Sequence, residues 1–370
     1  MPSPPEIAGA CGDCLRRTWL LGQLAPHVER ARHERRLGQL LALSDEHLLA
    51  AVAGQRRAAL EEGMVSFDAA SARAAGRAAA LTLLCRHDPQ YPPRLRDAED
   101  APAVLHVAGD PAALPRGDGP VVAIVGSRRA SPYGLEMARS LGRSLGAAGV
   151  PVVSGMALGI DSAAHAGALE AGGTTLAVLA GGADTPYPRS KTPLYRRIRA
   201  GAGSCVISEM PPGFAPFKWG FPARNRLIAG LADATIVVEA AQRSGSLITA
   251  EMAQDLGRLV AAVPGAVTNP LAGGTNALLR DGAELVRDAQ DILDALLGAG
   301  APTIARGPDP AGLPAGLRDL LGRLGDRPAT SAALLGPGDV ADAVVAGLVE
   351  LELLGFARRV AGGAYVRAAG

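Results

Sequence analysis

The middle of this 370-residue chain is predicted to fold as a doubly wound, Rossmann-like α/β domain. Three observations predict it. Short apolar, β-branched runs recur along it, several lead directly into a glycine or serine, and stretches with helical apolar spacing lie between them. The strand candidates are Val121 to Val125, Pro151 to Ser154, Thr175 to Leu179, Cys205 to Ser208, Thr235 to Glu239 and Leu259 to Val263. Helices are expected between them, among others at Tyr133 to Ala148, Ile160 to Ala171 and Ser246 to Leu256. Apolar strands alternating with helices imply a parallel sheet covered on both faces.

The flanks read differently. From about Leu15 to Ala80 the chain is rich in Ala, Leu and Arg, with helical spacing at Leu37, Leu40, Leu41 and Leu43, which predicts a small helical domain. The proline-rich connector Pro89-Gln90-Tyr91-Pro92-Pro93 and a short strand at Val104 to Val107 lead into the central domain. From Gly298 the chain runs Gly-Ala-Gly-Ala-Pro and then Gly307-Pro308-Asp309-Pro310, a linker. Beyond it, three short helices and a hairpin (Phe356 to Val360, Gly362-Gly363, Ala364 to Val366) suggest a winged-helix module. The expected domains are therefore 1–85, 86–298 and 312–370, with a linker at 299–311.

Composition narrows the function classes. With 48% hydrophobic and 20% charged residues the chain is globular and not disordered. A net charge of +1 excludes a uniformly basic nucleic-acid binder, so any such role needs a local patch. Four cysteines in so long a chain give no disulfide framework and fit a reducing, cytoplasmic setting. The start, Met1-Pro2-Ser3-Pro4-Pro5, lacks the pattern of a signal peptide, and no uncharged apolar run reaches the ~18–20 residues of a membrane span. Cys85 and Cys205 sit in apolar runs and read as buried small hydrophobes. Cys11-Gly12-Asp13-Cys14 has metal-ligand spacing, with His27 and His33 downstream. The surrounding pattern is not that of a zinc finger, so the pair is read as reduced thiols and no metal is expected.

In open parallel sheets ligands bind at the carboxyl ends of the strands, where helix N-termini attract anions. The turn after the first strand reads Gly126-Ser127-Arg128-Arg129-Ala130-Ser131-Pro132, with Ser131 as N-cap and Arg128 presenting a charged fork to a phosphate. It is not a G-x-G-x-x-G dinucleotide turn. After the second strand, Ser154-Gly155-Met156-Ala157-Leu158-Gly159-Ile160-Asp161 offers close backbone approach to an anion, and Asp161 and His165 stand one turn apart as a structural pair. The third turn carries Gly181-Gly182 and then Tyr187-Pro188-Arg189-Ser190-Lys191. The fifth carries Arg243 and then Ser244-Gly245-Ser246 at a helix start. One nucleotide needs one or two such turns, whereas a strand of several phosphates can use them all.

The stretch after the fourth strand stands out. Aromatics make up 3% of the chain, yet Phe214, Phe217, Trp219 and Phe221 crowd one loop beside Lys218, Arg224, Asn225 and Arg226. Between Pro186 and Gly230 eight cations face a single acid, Glu209. Cations interleaved with aromatics suit a single nucleic-acid strand, charge for phosphates and flat faces for unpaired bases. A core-packing aromatic cluster under a basic surface is the competing reading, and it weighs most on Phe221, which opens a helix.

Together these segments resemble the DNA-processing protein A (DprA, or Smf) family. The shared motifs are Gly-Ser-Arg…Ser131-x-Tyr-Gly, Ser154-Gly-x-Ala-x-Gly-Ile-Asp-x-x-Ala-His, Gly-x-Asp…Tyr187-Pro, Ser208-Glu-x-Pro-Pro-Gly, Phe221-Pro-x-Arg-Asn-Arg-x-Ile-Ala-Gly-Leu and Ser244-Gly-Ser-Leu-Ile-Thr-Ala, in order from about Tyr91 to Ala289. The resemblance implies single-stranded DNA binding, protection of incoming DNA in natural transformation, loading of the recombinase RecA, a homodimer, no nucleotide cofactor and no established catalysis. It also implies a SAM-like helical N-terminal domain and the winged-helix tail. Its strand-binding positions fall on Arg128, Lys191, Lys218, Arg224 and Arg226, although Lys191-Thr192-Pro193 departs from the usual asparagine and smoother helix. The rival is a nucleoside-monophosphate phosphoribohydrolase of the same architecture, for which Glu251 would be the acid.

Overall fold

The computed structural model describes residues 9–31, 37–117, 119–298, 312–325 and 328–367. The helical N-terminal segment comprises α1 (Gly12–Ala31), α2 (Leu37–Ala42), α3 (Asp45–Val52), α4 (Arg57–Val65) and α5 (Ala69–Ala78). Ser44 and Asp68 cap α3 and α5 by accepting backbone N–H bonds, as short polar residues do at helix starts.

The sheet begins earlier than expected. β1 (Thr82–Cys85), which the sequence assigns to the helical segment, pairs antiparallel with β2 (Val104–Gly109), with α6 (Pro93–Arg96) between them. There follow β3 (Val122–Val125), α7 (Pro132–Ala147), β4 (Val152–Ser154), α8 (Ile160–Glu170), β5 (Thr175–Val178), α9 (Thr192–Ala200), β6 (Cys205–Ser208), α10 (Gly220–Leu231), β7 (Ala234–Val237), α11 (Gly245–Asp255), β8 (Leu259–Ala262), α12 (Gly273–Arg280), β9 (Glu284–Leu285) and α13 (Ala289–Leu297). The nine strands lie in the order β1-β2-β6-β5-β4-β3-β7-β8-β9. From β6 to β9 all neighbours are parallel, as the apolar strands predict, whereas β2 joins β6 antiparallel. The predicted parallel sheet is thus a mixed one with an antiparallel edge.

Both faces are covered. Tyr91, Leu95, Leu227, Leu231 and Ala250 pack on one, and Met137, Leu141, Leu145, Ala164 and Ile292 on the other. The strand order reverses between β3 and β7: β4 lies on one side of β3, and β7 on the other. The connections leaving their carboxyl ends run to opposite faces, α7 packing on one and α11 on the other, which opens a crevice between the two turns, the place where open α/β sheets take ligands.

The tail is built of α14 (Ala315–Arg323), a 3-10 turn at Ser331–Leu334, α15 (Ala341–Leu353) and the antiparallel hairpin β10 (Ala357–Arg359) and β11 (Tyr365–Arg367). Arg358 on the hairpin ion-pairs with Glu136 of α7 at 2.8 Å. The expected linker falls outside the described residues.

Two histidines are buried in the α/β domain. Burial pushes His106 down to about 4 and His165 down to about 3. Both stay neutral in the native state, while the unfolded chain takes up protons below about pH 6.5. Unfolding then binds protons, so stability is lost as pH falls from that value towards the folded pKa. The expected loss is about 1 kcal/mol per histidine between pH 6 and 5. Urea unfolding at the two pH values checks it: His106→Gln and His165→Gln should each shrink the difference, and a difference that neither changes contradicts the assignment.

Candidate nucleic-acid interface

The crevice between β3 and β7 opens into a cleft of about 620 Å³. The β3 turn contributes Gly126, Ser127, Arg128 and Arg129, and the β7 turn contributes Arg243, Ser244, Gly245 and Ser246. Phe221, Arg224 and Asn225 of α10 form the floor and one side. Arg128, Arg129 and Arg243 are exposed. The Arg128 guanidinium lies over the Phe221 ring, 5.2 Å from its centroid, and the Tyr187 ring meets Phe221 on a 5.5 Å centroid separation. Tyr187 is 44% exposed, unusually so for an aromatic in this chain. A cation over one ring and a second ring beside it form a strip of charge and flat surface.

α11 aims its N-terminus at this cleft. Ser244 caps it, its hydroxyl oxygen accepting the Ser246 N–H at 3.4 Å. The dipole of this 11-residue helix adds partial positive charge to that of the arginines. Asn225 ties α10 to the same turn, its Nδ2 donating to the Gly245 carbonyl at 3.4 Å.

The other turns commit backbone N–H groups to partners inside the protein. In the second turn, Asp161 Oδ2 accepts the N–H groups of Gly155 at 3.1 Å and Ala157 at 3.3 Å. The protein supplies its own carboxylate there, and Met156 between them holds a left-handed φ of 53°. Ser154 is fully buried, its hydroxyl donating to the Ile124 carbonyl at 2.6 Å. An added Cβ at Gly155 would sit 1.6 Å from Arg224 Nη1, so a side chain there would displace the buried guanidinium. Gly159, at φ 78°, backs the Arg128 turn so closely that a Cβ would meet the Ser127 carbonyl oxygen at 2.2 Å. The third turn is spent internally too, with the Gly182 N–H on the Phe214 carbonyl and the Gly213 N–H on Asp184.

Ser131 caps α7 as expected, accepting the Gly134 N–H at 3.1 Å with Pro132 in the first turn. Its hydroxyl and its N–H both donate to Glu239 at 2.7 Å, which turns it away from the cleft. His165 does not pair with Asp161. Its Nδ1 contacts Thr175 Oγ1 at 2.7 Å.

The aromatic-basic loop is where the expectation needs correction. Trp219 is fully buried, packed with Leu20, Leu24, Leu48, Leu60 and Met210, and Phe214 and Phe217 lie against the same cluster. Trp219, Phe214 and Phe217 thus sit in the seam between the helical segment and the sheet, and of the four aromatics only Phe221 lines the cleft. Arg226 is buried in ion pairs with Glu209 at 2.7 Å and Asp100 at 3.1 Å. Arg224 is buried under the cleft, donating to the Val178 carbonyl at 2.8 Å. Burial pushes its pKa down to about 10 and pushes that of Asp161 up, and each group opposes the other's shift. Lys191 and Lys218 stay at the surface but do not line the cleft. Pro193 sits in the first turn of α9, where it is tolerated, so the Thr-Pro departure leaves the helix intact. Glu251, the acid of the hydrolase reading, is exposed on α11 and does not line the cleft.

Of the expected contacts, the structure brings Gly126, Ser127, Arg128, Arg224, Asn225, Ser244, Gly245 and Ser246 to one place; it adds Arg129, Arg243 and Tyr187, and also Phe221, the aromatic on which the core-packing reading weighed most. The adjacent arginine and the two aromatic-proline pairs, Tyr187-Pro188 and Phe221-Pro222, were the available signals for the additions.

Fold and site define an α/β protein with a cation- and aromatic-lined cleft at its switch point. The chain belongs to the DNA recombination-mediator protein A family, whose profile matches residues 82–297. Protein Smf of Escherichia coli is 38% identical over 285 residues, covering 75% of each chain. A putative DNA processing protein DprA of Mycobacterium tuberculosis is 47% identical over 201 residues, and this chain spans 51% of that relative's length. The crystal structure of DprA from Streptococcus pneumoniae superposes with a TM-score of 0.61 at 34% identity, covering 79% of this chain and 97% of that one. Among the described residues no helix is long and apolar enough to cross a membrane.

Proposed function

We propose that this chain grips single-stranded DNA in the β3/β7 cleft, without a nucleotide cofactor, and acts through that grip in DNA processing and recombination. The observation that carries the proposal is the Arg128 guanidinium over the Phe221 ring beside exposed Tyr187. Arg128, Arg129, Arg243 and the α11 N-terminus supply charge for phosphates, and the two rings supply faces for unpaired bases. The family resemblance extends the reading to protection of incoming DNA, loading of RecA, a homodimer and a winged-helix tail. The cleft supports a binding rather than a hydrolytic role. Asp161, the carboxylate that lines it, already accepts two backbone N–H bonds and faces buried Arg224.

Titration with single- and double-stranded oligonucleotides of the same length at two salt concentrations tests the proposal. The single strand should bind more tightly at both, with little sequence preference, because paired bases cannot stack on Phe221 or Tyr187. Equal affinity for the two forms at the higher salt contradicts it.

A further inference from the structure

Far from the cleft, four metal-ligating side chains from distant parts of the sequence converge. Cys11 lies just ahead of α1 and Cys14 in its first turn, Cys85 ends β1, and His87 follows in the turn after it. Their ligand atoms all lie within 4.8 Å of one another. Cys11 Sγ and Cys14 Sγ are each 3.5 Å from His87 Nδ1. Two ligands on one tetrahedral zinc ion, with Zn–S about 2.3 Å and Zn–N about 2.0 Å, stand about 3.5 Å apart.

We propose that Cys11, Cys14, Cys85 and His87 form a structural zinc site of the Cys3His type. Three thiolates and an imidazole select a soft or borderline cation over magnesium or calcium. Four protein ligands leave no open position, so the site is structural and not catalytic. A disulfide accounts for the cluster less well, since it would join two sulfurs and leave the third thiol and the imidazole facing it without purpose. All four cysteines of the chain are free thiols here.

The site has a mechanical consequence. β1 is the edge strand of the sheet, and α1 is the first helix of the N-terminal segment. A zinc ion joining them would staple that segment to the sheet at one end, while Trp219 anchors it at the other. Spacing within the sequence pointed at most to the Cys11–Cys14 pair with His27 and His33. The third and fourth ligands are instead Cys85 and His87, and His33 lies outside the described residues.

The test uses the full chain, expressed in zinc-supplemented medium and purified without chelator. Elemental analysis should find about one zinc per chain, the content of a single closed site. Cobalt(II) exchanged into the site should give the ligand-field and thiolate charge-transfer bands of tetrahedral sulfur-rich coordination. His87 is exposed, so His87→Ala should fold and yet lose most of the metal, as should Cys85→Ser. Cys205→Ser, in β6, should keep it. Chelation should lower the melting temperature of the wild type and leave that of His87→Ala unmoved. Protein that carries no zinc and gives no cobalt spectrum, or that shows a Cys11–Cys14 disulfide under reducing purification, overturns the proposal, as does full metal content in His87→Ala.

Discussion

Trp219→Ala is expected to cost about 3–5 kcal/mol of stability, the range for removing a large buried aromatic. The indole is fully buried where α1, α3 and α4 meet the loop before α10, so the cavity opens at the seam between two structural layers. The melting temperature should fall by roughly 10 °C, at about 2–4 °C per kcal/mol for a domain of this size. The fraction that stays folded should bind single-stranded DNA much as the wild type does, because Trp219 does not line the cleft. Melting and oligonucleotide affinity measured on the same samples check both halves. A variant that melts normally and loses binding would return the indole to the DNA-binding surface.

This residue shows where the sequence stops being informative. Four aromatics crowded into one loop of a chain otherwise poor in them mark an important loop, but core packing and base stacking need the same side chains. What separates them is whether Leu20, Leu48 and Leu60, far away in sequence, close over the ring. The cations pose the same problem. Arg226 reads as surface charge until Glu209, 17 residues away, and Asp100 close on it. The six central strands were legible because each carries its own apolar, β-branched pattern. β1 was not, since Thr82–Cys85 continues a helical stretch without a turn signal and is a strand only because it pairs with β2. The Arg128 turn was legible for a local reason: an N-cap, a proline and an arginine after a strand specify a helix start with a charge beside it. Asp161 occupying the next turn is a tertiary fact, and it removes an anion site that glycine spacing alone suggests.

Arg128→Ala is expected to weaken single-strand binding by about 1.5–3 kcal/mol, the value of a hydrogen bond to a charged group. That is roughly a 10- to 150-fold loss in affinity. The side chain is exposed, so the melting temperature should hardly change. The slope of log affinity against log salt should fall by about 0.7, the share of one phosphate contact on a single strand. Lys218→Ala is the matched control, since it removes one exposed cation outside the cleft. If Lys218→Ala costs more than Arg128→Ala, the basic loop and not the switch-point cleft carries the DNA.

Photo-crosslinking reads out where on the molecule the single strand lies. A single strand substituted with 5-iododeoxyuridine, irradiated in complex with the wild-type chain and digested, reports which side chains stack on its bases. The crosslinked peptides should contain Phe221 or Tyr187, and the crosslinks should vanish when both are changed to leucine while the protein still folds. Crosslinks confined to Phe214, Phe217 or the exposed face of α9 would contradict binding in the cleft.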